Sequence, residues 1–153
     1  MPDKKNQIQR YMAKKLPLRN EKASTVEKHL YNNMDALIVE DEMDICFLLT
    51  GVFKKKNMHT AYANSLHEAS YILSTEQPSI LVIDNNLPDG HGIDLIQDLK
   101  NDHPTMGIIM ITADDTPANK SRALMAGADF FVGKPFTLDT INSTIDKVIA
   151  AAR

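Results

Sequence analysis

From Asp35 onward, short unbroken apolar runs alternate with stretches whose apolar residues recur at helical spacing. Ala36–Val39 reads as a first buried strand. Glu42–Lys56 reads as a helix with Ile45, Leu48, Leu49 and Val52 on one face. Met58–Ala63 is a second, less apolar strand, suited to a sheet edge. Ser65 opens a helix running to Thr75, with Glu68 at the capping-box position. Pro78 precedes a strand over Ile80–Asp84, and a loop through Gly92 leads to a helix carrying Ile93, Ile96 and Leu99. Gly107–Thr112 is another buried strand. Thr116–Ala126 is a helix with Pro117 in its first turn and Gly127 just past its end. Ala128–Val132 is the fifth strand, and Thr137 caps a last helix presenting Leu138, Ile141, Ile145 and Val148.

Strand runs this short and this apolar are buried on both faces, which predicts a parallel sheet covered by helices on both sides. Right-handed crossovers close it as an α/β, doubly wound, flavodoxin-like five-stranded sheet of order 2-1-3-4-5. The globular domain is placed at residues 34–153, and residues 1–33 lie outside it as an N-terminal extension.

Composition narrows the class. The chain has 153 residues, 43% hydrophobic and 24% charged, enough for one compact soluble domain. No apolar stretch approaches the roughly 20 residues of a membrane span, so membrane insertion is not expected. Cys46 stands alone and can form no internal disulfide; it is expected in the core, and the chain in the cytoplasm. Net charge is −3, but residues 1–33 hold eight Lys and Arg against three Asp and Glu. That surplus of +5 leaves −8 for the rest of the chain. The extension has no apolar core of a secretory signal. It reads as a solvated tail, with a docking or dimerisation helix around Val26 and Leu30 as the alternative. Its bases are too dispersed, and aromatics too few, to expect nucleic-acid or membrane-surface contact.

The chemistry gathers at strand ends. Glu40-Asp41 follows the first strand, Asp84 ends the third, Thr112 ends the fourth and Lys134 follows the fifth. In the predicted order these ends open onto one crevice, where three acids, a hydroxyl and an ammonium would meet. Two unit charges about 4 Å apart repel by on the order of 4 kcal/mol at an effective dielectric near 20. Such a cluster calls for a cation, and an all-oxygen donor set favours Mg²⁺ or Mn²⁺.

Glu40-Asp41, Asp84-(x)2-Leu87-Pro88-(x)3-Gly92, Thr112-Ala113 and Lys134-Pro135-Phe136 together resemble the signature of response-regulator receiver domains of two-component signalling. The resemblance spans about residues 35–151 and is nearest in kind to the single-domain type of the chemotaxis regulator. It implies that Asp84 is the phospho-acceptor, attacking the phosphorus of a phosphohistidine or a small phosphodonor. It implies that Asp41 ligates Mg²⁺ directly, with Glu40 helping through water, Asp84 sharing the ion and the backbone carbonyl of Asn86 completing the protein's ligands. Lys134 would pair with a phosphoryl oxygen, aimed by a cis bond to Pro135. Thr112 and Phe131 would be the switch pair: the hydroxyl moves to the phosphoryl group and the ring turns inward. Asn86 and Asp114, two residues past the acceptor and the threonine, would tune hydrolysis; small polar residues there predict a phosphoryl lifetime of seconds to minutes.

Rival readings meet specific obstacles. A dehalogenase-type phosphatase needs a second acid two residues past its nucleophile, where this chain has Asn86. An FMN carrier would not place Glu40-Asp41-Glu42 at its phosphate loop. The implied function is a phosphorylation-dependent signalling switch fed by a histidine kinase or histidine phosphotransfer protein, with output through a downstream protein target. It would be no enzyme beyond catalysing its own phosphorylation and dephosphorylation. A phosphorelay intermediate and an inert receiver-like binding module are the alternatives. No output domain is expected after the last helix. A phosphorylation-dependent dimer through the fourth helix stays open, although Asn119, Lys120 and Arg122 make that helix polar.

Overall fold

A computed structural model describes residues 34–151. The expectations for residues 1–33, the extension and its Val26/Leu30 helix, lie outside the described residues.

Five strands, β1 (Ala36–Val39), β2 (Thr60–Ala63), β3 (Ile80–Asp84), β6 (Gly107–Thr112) and β7 (Phe130–Gly133), form one sheet in the order β2-β1-β3-β6-β7. All four pairings are parallel, so this is the expected 2-1-3-4-5 topology. β1 and β3 are buried at every position, as two covered faces require, whereas edge strand β2 exposes Tyr62. The helices are α1 (Met43–Lys55), α2 (Leu66–Thr75), α3 (Gly92–Asp102), α4 (Pro117–Ala126) and α5 (Leu138–Ala151).

The two faces have separate cores. On one, α1 packs Cys46, Leu49 and Phe53, and α5 packs Ile141, Ile145 and Val148, against Ile38, Val82 and Ile109. On the other, α2, α3 and α4 cover Leu37, Ile83 and Met110. The alternation of Leu37 and Ile38, or Val82 and Ile83, between cores is the period-two geometry of a strand.

Helix ends are set locally as the sequence indicates. Ser65 Oγ accepts from Glu68 N at 3.1 Å, and Glu68 reaches back to the amide of Asn64 at 3.0 Å. Thr116 Oγ1 accepts from Asn119 N and Thr137 Oγ1 from Thr140 N. Gly127 ends α4 with φ 121°, a conformation that favours glycine.

Two strand boundaries and one loop differ from expectation. The fifth strand covers Phe130–Gly133, not Ala128–Val132. Asp129 is taken instead by Lys100 and by the amide of Ile108, and pairing begins only after it. The second strand starts at Thr60 rather than Met58, because the turn around Asn57 (φ 57°) still occupies that stretch. The acceptor loop holds a hairpin: β4 (Asn86–Leu87) pairs antiparallel with β5 (Gly90–His91) around Pro88-Asp89. Proline halts the main-sheet strand but opens a tight turn.

Candidate functional site

The site stands at the carboxyl ends of β1, β3, β6 and β7. β1 delivers Glu40 into the interior, where it is wholly buried, and Asp41 into solvent. β3 ends on Asp84, only 4% exposed. One carboxylate oxygen of each lies within 4.8 Å of the others. α3 starts directly beneath: a Cβ at Gly92 would run into the backbone carbonyl of Asp84, so only glycine admits the approach.

Lys134 reaches across from the end of β7. Its Nζ is 2.9 Å from Asp84 Oδ2, 2.9 Å from Glu40 Oε2 and 3.0 Å from Glu42 Oε1. The Lys134 amide donates to Thr112 O at 2.8 Å, and the bond to Pro135 is cis, as expected. Burial by itself would push the ammonium's pKa down, but the paired carboxylates of Asp84, Glu40 and Glu42 outweigh it and hold the pKa above its usual value. The Glu40 carboxyl pKa is raised to about 7: burial is the main cause, Lys134 and the Glu42 amide oppose it, and the charge of Asp84 adds to the rise.

Glu42 is the participant that sequence reasoning did not assign. At the start of a helix, an acid reads as favouring the positive end of the dipole. Its spacing of two from Glu40 was the available signal, since residues i and i+2 of an extended segment lie on one side.

Three carboxylates thus meet one ammonium, with Asp41 beside them. The Lys134–Glu40 contact is one of charge, and Glu40 Oε2 is buried without a hydrogen bond. A buried acceptor left in that state, beside the Asp41 and Asp84 oxygens, fits a hard divalent cation or its water shell.

The remaining predicted residues take distinct places. Thr112 is buried beside the acid cluster, its Oγ1 accepting from Asp114 N at 3.2 Å. The amide N–H of Asn86 donates to Asp84 Oδ1 at 3.1 Å, while its side chain donates to Asp114 Oδ2 at 3.0 Å. Phe131 is half-buried against the α2–α4 core, in register with Met110. By strand alternation Thr112 shares that face, so hydroxyl and ring lie on the same side of neighbouring strands. Cys46 is buried, donating to Glu40 O, and exposed His91 precedes α3. Among the described residues, no helix is long and apolar enough to cross a membrane.

The family model for the response regulator receiver domain matches residues 36–146. The response regulator protein PilR of Pseudomonas aeruginosa is 36% identical over 110 residues, which are 72% of this chain and 25% of PilR. The KDP operon transcriptional regulatory protein KdpE of Escherichia coli is 32% identical over 111 residues, 72% of this chain and 49% of KdpE. The chain thus spans a quarter to about half the length of these curated relatives. Among solved structures, the receiver domain of a Francisella response regulator superposes with TM-score 0.72 at 25% identity, covering 79% of this chain and all of that one.

Proposed function

The chain belongs to the response-regulator receiver family, and from that premise we propose that it is a phosphorylation-dependent signalling switch whose acceptor is Asp84. The observation that carries this reading is the contact of one ammonium, Lys134, with Glu40, Glu42 and Asp84 within 3.0 Å at the strand ends. A carboxylate oxygen of Asp84 attacks the phosphorus of a phosphohistidine or small phosphodonor. The bond from phosphorus to the imidazole nitrogen or donor oxygen breaks, and the electron pair leaves with the donor. Lys134 offsets the charge gathering on the equatorial oxygens.

Asp41, Asp84 and Glu40 would hold Mg²⁺, or Mn²⁺, with the Asn86 carbonyl. When bound, the ion supplies charge neutralisation and alignment of the phosphoryl oxygens. Thr112 sits where its hydroxyl can turn from Asp114 N to a phosphoryl oxygen, and Phe131 lies on the same face to follow it. Output then passes through a protein partner on the α4 side, where Met125 is 88% exposed. The protein acts on no external substrate; it catalyses only its own phosphorylation and dephosphorylation, in the cytoplasm.

The test is intact mass after incubation of the full chain with acetyl phosphate and Mg²⁺. The wild type should gain one phosphoryl group, Asp84→Asn none, and Asp41→Ala far less. Equal gain in Asp84→Asn would end the assignment.

A further inference from the structure

Four residues form a hydrogen-bonded chain, through side chains and the Asp114 carbonyl, running from the acceptor loop onto the exposed surface of α4. Asn86 Nδ2 donates to Asp114 Oδ2 at 3.0 Å, bridging the loops after β3 and β6. Asn119 Nδ2, in the first turn of α4, donates to the Asp114 carbonyl at 3.1 Å. Arg122 Nη2, one turn on, donates to Asn119 Oδ1 at 2.7 Å. The direction of this chain is fixed by chemistry. A guanidinium only donates, so Arg122 holds the amide oxygen of Asn119 toward itself and leaves the NH₂ for Asp114. An ionised carboxylate only accepts, so Asp114 holds the NH₂ of Asn86.

The chain begins and ends at informative places. At one end the Asn86 backbone donates to the acceptor carboxylate, and the Asp114 backbone donates to Thr112 Oγ1. The bridge therefore joins the two loops that flank Asp84. Beyond it lies an open groove of about 630 Å³, whose lining includes Asn86, Asp114, Asn119 and Arg122 on the polar side and Met125 on the apolar side. Asn119 is half-buried, while Asp114 and Arg122 are exposed.

Building on the proposed phospho-acceptor role of Asp84, we propose that Asn119 and Arg122 are positioning residues for hydrolysis: they lock the Asn86–Asp114 bridge as a gate against water. Neither touches the reacting atoms; both act through Asp114. The lifetime of the phosphoryl group is then set partly from the outer face of α4, and any ligand that engages Arg122 alters it. Linkage makes this reciprocal for binding: closing the gate and occupying that face of α4 favour or oppose one another by the same factor.

The experiment measures loss of the phosphoryl group by intact mass after the full chain is labelled with acetyl phosphate and Mg²⁺ and the donor is removed. Loss of one net hydrogen bond should let Asn119→Ala speed the loss about two- to thirteenfold. Arg122→Gln should act in the same direction and less. The initial labelling rate and the thermal midpoint should stay near wild type, which separates positioning from a general loosening of the fold. In an Asp114→Ala background, Asn119→Ala should add nothing. Unchanged or slower loss in Asn119→Ala would overturn the gate, as would an undiminished effect when Asp114 is already alanine. Failure of the wild type to take up label would overturn the acceptor reading instead, and the gate with it.

Discussion

The α1/α5 layer and the α4 segment rest on the same sheet but are anchored in different ways. α1 buries Leu49, Val52 and Phe53, α5 buries Ile141, Ile145 and Val148, and the two are joined by Lys56 and Asp146 at 2.6 Å. α4 has only Ala123 and Ala126 buried, and leaves Met125 largely and Leu124 partly in solvent. Its first turn is held by polar contacts from Thr116 and Asn119. Burying a large apolar side chain stabilises by roughly 1.5–3 kcal/mol, and an alanine by much less. The contrast teaches where the molecule can change shape at low cost. The layer behind β1 rests on large buried side chains, while the helix beside Thr112 rests on two alanines and polar bonds.

The sharpest way to break this comparison is at the buried end. Lys134→Ala should lower phosphoryl uptake from acetyl phosphate about a hundredfold or more, the order seen when a preorganised electrostatic donor is removed. Uptake within a few-fold of wild type would show that the ammonium is structural only. Phe53→Ala should cost about 3–5 kcal/mol in urea unfolding. Native Cys46 should resist alkylation at neutral pH. Burial raises its thiol from 9.0 to about 11, with Glu40 and Asp41 adding to the rise, so its reactive thiolate is about a hundredfold scarcer. Rapid labelling by iodoacetamide without denaturant would show this layer to be open. Mg²⁺ in large excess should raise thermal stability by about 2–3 kcal/mol, and Asp41→Ala should remove most of the gain. Smallest of all, Met125→Ala should stay within about 0.5 kcal/mol of wild type. A loss there as large as that of Phe53→Ala would erase the contrast between the layers.

What the sequence disclosed, and what it withheld, follows from range. Ala36–Val39 and Ile80–Ile83 had no polar position to spare for solvent, so buried parallel strands were legible, and with them the meeting of Glu40, Asp41 and Asp84. Caps at Ser65, Thr116 and Thr137 were legible because their bonds span three residues. The hairpin around Pro88-Asp89 was not legible, because the local signal of proline is the same whether a loop or a hairpin follows. The start of β7 was misplaced because Asp129 answers to Lys100, twenty-nine residues earlier in the chain. The Asn86–Asp114 bond joins loops twenty-eight residues apart, and no periodicity encodes which way two loop side chains turn.

Asp89 sits at the turn of the small hairpin just past the acceptor, and its carboxylate accepts the amides of Leu66 at 2.9 Å and His67 at 2.8 Å. That loop is thereby moored at its far side to the start of α2. Toward α4 the same loop is tied by the Asn86 side chain to Asp114, at a residue that is itself exposed. With two backbone amides clamped on one side and a single side-chain bond on the other, the loop's two flanks would not yield equally to a charge added at Asp84.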